Sequence, residues 1–378
     1  MKPEIALRTV AREWSRIGVT GFGGPPAHIA LLRSLCVQKQ RWMSDAEFED
    51  GIAAANLLPG PASTQLAIFC AWRLRGWRGG LVGGVCFILP GLVVILALSA
   101  LLLSGHPSKF VLGAAAGAGA AVAAVAAQAA AGLIPPSWRR TGVDRAGRIR
   151  WIAYAVAGAV AAIVIGPWLV LVLLAAGLVE AAATGWRPRG APAVAFAVPA
   201  IGTWLALAWT ALKVGALSYG GGFVIIPLMR GDAVDRHHWM TAGQFLYAVA
   251  LGQITPGPVV QTVAVVGYAA AGLIGGVLAS VIAFAPSFVF VLGGARHFDR
   301  LRANRTVQAF LAGAGPAAIG AIGGSAVVLG WSLTHLWQVP VLALAALWLL
   351  ALRRGVVSAL IGAACLGVIA AALGWPVG

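Results

Sequence analysis

Apolar residues in this chain gather into runs of membrane length, not into the spaced stripe that one face of a soluble helix shows. Leu81–Leu103, Phe110–Leu133, Ile152–Leu174 and Leu273–Leu292 are examples. Each meets the roughly 20 residues a helix needs to cross a ~30 Å hydrocarbon core. Polar and charged residues fall in short stretches between the runs. The opening segment Met1–Ile17 differs, being charged and amphipathic without a cleavable signal pattern. The pattern predicts an all-α integral membrane protein, a polytopic helical bundle.

The pattern also repeats. At one fixed offset Gly18 meets Gly215, Phe22 meets Tyr219, and Gly23–Gly24 meet Gly220–Gly221. Arg33 then meets Arg230, Trp42–Met43 meet Trp239–Met240, and Pro59–Gly60–Pro61 meet Pro256–Gly257–Pro258. After a one-residue slip Gly76, Gly79 and Gly80 meet Gly272, Gly275 and Gly276. A basic, Pro-containing stretch near Gly185–Pro192 suits a linker. Residues 1–187 and 188–378 are therefore read as two homologous repeats.

Composition supports the membrane reading. Of 378 residues 60% are hydrophobic and 10% charged, with mean hydropathy +0.89. A soluble domain cannot cover that much apolar surface. The net charge of +16 does not indicate nucleic acid, because the cations lie in short loops with no accompanying aromatic face. Lys and Arg kept on the cytoplasmic side of a bilayer give that distribution. Tryptophans near segment ends, Trp42, Trp138 and Trp239 among them, suit the headgroup layer. Cys36, Cys70, Cys86 and Cys365 are scattered, so neither a metal site nor a disulfide framework is expected, and no cofactor.

The cations also orient the repeats. Arg73, Arg75 and Arg78 make one loop basic while its partner at 269–274 is uncharged. One loop later the asymmetry reverses, 104–109 being nearly neutral and its partner carrying Arg296, Arg300, Arg302 and Arg305. Halves of opposite orientation give this alternation, as in the inverted repeats of secondary transporters.

Each half is interrupted twice. Gly21–Pro26 is echoed by Ser218–Gly222, and Asn56–Pro61 by Gln253–Pro258. Proline removes an amide donor and glycine frees the backbone. In hydrocarbon such backbone survives only where protein buries it or it lines a watery cavity. A half-helix starting there aims free N–H groups and its positive dipole end into that cavity, which suits an anion. Thr64, Gln65, Gln261 and Thr262, just past the Pro-Gly-Pro runs, add hydrogen-bonding side chains, and Tyr219, Gln253 and Thr255 lie in the interruptions themselves. Ser44–Glu47 and Thr241–Gln244 read as capping boxes, and Gly79-xxx-Gly83 and Gly80-xxx-Gly84 as close-packing faces. Arg33 and Arg230 either hold helix ends or line the mouth of the anion path. His28 either bonds a neighbouring helix or titrates and gates the path.

The strings GFGGPPAHIALLR, RWMSDAEFEDGIAAANLLPGPASTQLAIF and GWRGGLVGGVCFILPG resemble the N-terminal half of the chromate ion transporter family. SYGGGFVIIPLM and YAVALGQITPGPV resemble its C-terminal half. The resemblance implies efflux of chromate from the bacterial cytoplasm, with sulfate as the structural analogue and a multi-pass location in the inner membrane. It carries the family's motif positions over to Phe22, Gly23, Gly24, Pro25, His28, Arg33, Asn56, Pro59, Gly60, Pro61, Gly220, Gly221, Pro256, Gly257 and Pro258, all but Pro25 expected to bind substrate. One departure stands out. The family commonly has an acid shortly after the Arg33 position, where this chain reads Arg33-Ser34-Leu35-Cys36. Glu49 and Asp50 are the nearest substitutes for proton coupling, with His28 a third candidate, while Leu246 and Tyr247 stand opposite the two acids in the other half.

Carboxylates are nearly absent from the predicted core, which favours a fully deprotonated oxyanion such as chromate or sulfate over phosphate, whose remaining proton wants an acceptor. A dianion leaving a negative interior gains roughly 4.6 kcal/mol per 100 mV, so export needs no proton partner. The expected function is secondary export of a tetrahedral oxyanion, conferring chromate resistance, with proton-coupled sulfate uptake as the alternative. A membrane enzyme acting on lipid phosphates would need a nucleophile or base constellation that the sequence lacks, so no enzyme is expected. The bilayer and a small oxyanion are the expected partners, and a homodimer is compatible with the chain.

Overall fold

The computed structural model describes residues 5–58, 60–103, 107–141, 144–183, 202–218, 224–294 and 304–377. The described residues form helices and no strand. In the first half these are α1 (Leu7–Thr20), α2 (Pro25–Arg33), α3 (Asp45–Leu57), α4 (Ala62–Leu102), α5 (Lys109–Arg139), α6 (Arg145–Val164) and α7 (Leu169–Ala183). In the second they are α8 (Thr203–Leu217), α9 (Ile225–Arg230), α10 (Ala242–Ile254), α11 (Thr262–Gly294), α12 (Arg305–Trp331), α13 (Gln338–Ala346) and α14 (Val356–Ala372). The expected linker at 185–192 lies outside the described residues.

Backbone detail recurs in the two halves. α2 and α9 each run into a π turn, Ser34–Lys39 and Gly231–Arg236. Each π turn is followed by a non-glycine residue at positive φ, Arg41 at 50° and His238 at 51°. Ser44 with Glu47 and Thr241 with Gln244 close the two capping boxes. Near the first third of α4 and α11 the helix reverses at Gly76 (φ 60°, ψ −153°) and Gly272 (φ 63°, ψ −157°). Side chains avoid that backbone region, so glycine permits the turn. Beyond it Gly79 packs on Ala71, Gly84 on Ile68 and Gly275 on Gly267. α4 is thus a hairpin with limbs 62–74 and 77–102, and α11 one with limbs 262–270 and 273–294.

The helix before the first Pro-Gly-Pro run pairs with the limb after it. α3 has 13 residues, about 20 Å of helix, which is too short for a ~30 Å core. Glu47 at its start pairs with Arg73 at the end of the next limb (2.6 Å), and Gly51 packs on Leu66 and Phe69. Those contacts fix an antiparallel pair whose tip carries Leu58, Gly60 and Pro61.

Limbs 77–102 and 273–294 cross antiparallel. Gly80 lies against Leu292, Gly84 against Phe288 and Gly276 against Leu96, a register centred on Ile88 and Phe284. The outer helices are exchanged between halves. α5 packs on α13 and α14, with Gly113 against Gly367 and Gly117 against Ala363. α12 packs on α6 and α7, with Gly320 against Ala155 and Gly313 against Ala176. Small residues let these backbones approach closely.

The surface is apolar where helices face outward, as along Leu81, Val85, Leu89 and Val93, each over 40% exposed. Among the described residues, five helices are long and apolar enough to span a membrane. The run Ile152–Leu174, expected as one crossing, is two helices. Gly166 at φ 48° turns the chain between α6 and α7, so apolar character alone misplaced the boundary.

Candidate anion-binding site

The two turns carry the interruptions. Leu58 leaves α3 in extended geometry, Gly60 takes φ 129°, and Pro61 starts α4 with no side-chain cap. Thr255, Gly257 (φ 96°) and Pro258 repeat the sequence of conformations before the short helix Val259–Gln261, again without a side-chain cap. Both helix starts therefore keep first-turn N–H groups available.

Each turn is held by the other half. The Gly60 N–H donates to the Ser218 carbonyl (3.1 Å) and the Gly257 N–H to the Gly21 carbonyl (3.0 Å). Gly21 and Ser218 hold equivalent positions, so the exchange is reciprocal. The Gly21 carbonyl also accepts from His28 Nε2 (2.9 Å), which fixes the proton on that nitrogen. The Gln261 amide donates to the Ile88 carbonyl (2.6 Å), and Gly91 lies against the Pro256 carbonyl. Ser287, the counterpart of Gly91, lies against Gly60. Both turns thus flank the point where limbs 77–102 and 273–294 cross. The start of α2 meets the second turn as well, Gly24 lying beside Val259.

Several buried polar atoms around these turns find no hydrogen-bond partner among the described residues. They are the hydroxyls of Thr64, Ser218 and Ser287, Gln253 Nε2 and His28 Nδ1. Burying such groups unpaired is costly, typically 1–3 kcal/mol each, so sites that keep them are ones where a ligand or water pairs them. The hydroxyls of Thr255 and Thr262 are committed instead to the carbonyls of Leu251 and Val259 (2.8 Å each).

A cavity of about 1160 Å³ reaches the first turn at Leu58, Gly60 and Ala62. Its outer part is lined by Arg140, Arg150, Tyr154, Glu180 and Arg305. Arg150 donates to Glu180 through Nε (2.8 Å), and the Tyr154 hydroxyl joins the same carboxylate (3.0 Å). A second cavity, of about 850 Å³, lies at the other ends of α6 and α12 and contains Lys213, Arg230, Asp235 and Arg236. The second turn lines neither cavity.

The sequence profile of the chromate transporter family matches residues 8–181 and 205–373. The chain belongs to the chromate transporter family. It is 34% identical over 343 residues to the "Chromate transport protein" of Cupriavidus metallidurans, covering 86% of this chain and 83% of that one. The protein of the same name from Pseudomonas aeruginosa is 33% identical over 352 residues, covering 86% and 82%. A "Probable chromate transport protein" of Synechococcus elongatus is 30% identical over 354 residues, covering 88% and 87%. No solved structure matches. The family is one of transporters, not enzymes, and with five apolar spanning helices the chain is a multi-pass membrane protein.

Within this chromate transporter family member the expected site residues divide. Gly60, Pro61, Thr64, Gln65, Gln253, Thr255, Pro256, Gly257, Pro258, Gln261, Thr262 and His28 are buried on or beside the two turns. Gly23 and Gly24 start α2 at positive φ, and Phe22 is exposed. Pro59, Tyr219, Gly220 and Gly221 lie outside the described residues, as does the side chain of Asn56. Arg33 is not at the turns. It pairs with Glu49 and Asp45 over the Phe48 ring, at the outer end of α3, and Asp50 is exposed on that helix. Arg230 pairs with Asp235 (3.1 Å).

Sequence reasoning did not single out Ser218 and Ser287, whose buried hydroxyls lack partners among the described residues, or the arginines of the larger cavity. Nor did it single out Asp232, the one buried carboxylate among the described residues, which is 1% exposed and paired with Lys213. The signal was present. Asp232 stands two residues after Arg230, at the position that Leu35 holds after Arg33.

Proposed function

We propose that the chain exports chromate across the bacterial inner membrane, holding it as a tetrahedral dianion between the two turns, and so confers chromate resistance. The observation that carries the reading is the pair of reciprocally held turns, surrounded by buried hydroxyl and amide groups without partners. Such donors, together with first-turn N–H groups, match an oxyanion with no proton of its own.

The reading takes residues 1–187 and 188–378 as inverted repeats. Two things support it: limbs 77–102 and 273–294 hold equivalent places yet run antiparallel, and the basic loops alternate as the positive-inside rule requires. The cavity at Gly60, rimmed by Arg140 and Arg305, then opens to the cytoplasm and collects the anion, while the Gly257 turn is sealed. Rocking of one half against the other would exchange those roles.

Purified full-length chain in proteoliposomes tests this. An inside-negative potential should accelerate chromate efflux, with sulfate competing and phosphate not. Flux that instead runs inward and requires an inward proton gradient would replace export with proton-coupled sulfate uptake.

A further inference from the structure

The second cavity holds a charge arrangement that the two turns do not use. Asp232 is buried on the π turn Gly231–Arg236, and its Oδ2 accepts from Thr210 Oγ1 (2.9 Å) and from Lys213 Nζ. Its Oδ1 has no partner among the described residues. Lys213 lines the cavity, with its ammonium 5.9 Å from the centre of the Trp209 ring. The first half has nothing equivalent. Leu35 replaces Asp232, and Arg16, at the Lys213 position, has a 70% exposed side chain 3.9 Å from Glu13.

We propose that Lys213 is a second oxyanion ligand, at the outer cavity, and that a proton on Asp232 releases it to the anion. The inference rests on the export reading, which sends the anion out past this cavity. A largely buried ammonium must have a counter-charge, and Asp232 supplies it. Once Asp232 is protonated, a dianion entering beside Arg230 and Lys213 takes its place. Other charged and titratable groups also surround Asp232, and Asp232→Asn is the variant that isolates its own proton. Arg230 is paired with Asp235, Arg236 is exposed, and His237 lies partly buried against Trp239, which holds it below its ordinary value. α8 contributes Lys213 and Thr210. The turn Gly166–Trp168 brings no acid or base, and Tyr247 of α10 donates to the Val377 carbonyl.

Proton and anion therefore strengthen each other's binding, because linkage is reciprocal. One proton taken up per anion makes affinity climb by about tenfold per pH unit as pH falls. In an exporter this retains anion at the exit when the outside is acid.

Calorimetry of chromate and sulfate binding to the purified full chain, in two buffers of different ionisation enthalpy, counts the protons directly. Wild type should take up close to one proton per anion bound at this cavity, and none for the anion held at the turns. Asp232→Asn should take up none and bind with an affinity flat in pH. The double variant D232N/K213M removes both buried charges together, so it keeps the core neutral if the single variant fails to fold; it should lose the pH-dependent binding. Wild type that binds anion without proton uptake, or a D232N or double variant that keeps the wild-type pH dependence, overturns the proposal. Chromate flux measured on the same wild-type preparation separates the cases: flux without proton uptake sinks this inference alone, and no flux sinks the export reading.

Discussion

Replacing Gly91 with alanine puts a methyl group where limb 77–102 meets the second turn. The new Cβ would collide with the Pro256 carbonyl and the Gln261 amide, and the carbonyl belongs to backbone that the Gly257–Gly21 bond holds in place. Overpacking of this kind costs about 1–3 kcal/mol. Pushing Gln261 aside also strains its bond to Ile88, worth about 0.5–1.5 kcal/mol. A total near ~2 kcal/mol falls only on conformers in which the second turn is seated, and at about 1.4 kcal/mol per decade it shifts the conformer ratio roughly 30-fold. Two measurements read this. Chromate flux in proteoliposomes should fall, and labelling of a cysteine at Ala53, inside the larger cavity, should slow as that cavity spends less time open. Cys365, the exposed native thiol, would be replaced first. Ser287→Ala, at the equivalent position of the other half, removes an atom where Gly91→Ala adds one and should leave labelling close to wild type. Unchanged flux and labelling in Gly91→Ala would refute the idea that the second turn must leave this seat.

The remaining expectations concern stability and capture. Gly76→Ala and Gly272→Ala meet no neighbour within 4 Å, so each should cost only the backbone strain of positive φ, about 1–3 kcal/mol, and to a similar extent in detergent unfolding. Trp14→Phe removes the buried bond from the indole to the Ala67 carbonyl (2.8 Å) and should cost about 1 kcal/mol in the same assay, with flux retained at saturating chromate. The double variant Arg140→Ala and Arg305→Ala should raise KM for chromate several-fold with little change in kcat, and weaken the dependence of flux on ionic strength, because those side chains attract the anion before the chemistry of the turns is reached.

Much of this architecture is written locally. Capping boxes, Pro-Gly-Pro turns and repeated glycines act over a few residues, so Ser44, Gly60, Thr241 and Gly257 could be placed from sequence alone. What escaped depends on contacts far along the chain. Nothing in the string around Gly76 distinguishes a kink from a full reversal until Gly79 is seen against Ala71. Burial of Asp232 is decided by Thr210 and Lys213, about one helix earlier, and Ser287 becomes a candidate ligand only because its helix crosses beside Gly60. Of the two readings open for Arg33, only its partners Asp45 and Glu49 on the next helix favour the one that holds a helix end.

The exchange of outer helices has a mechanical consequence. With α5 clasped by the last helices of the second half and α12 by those of the first, neither part has a complete interior of its own. Motion between them cannot be a door swinging on one linker. Rocking of one part must instead carry the glycine-lined contacts that both parts share, and two separately made fragments would have to knit together before either became stable.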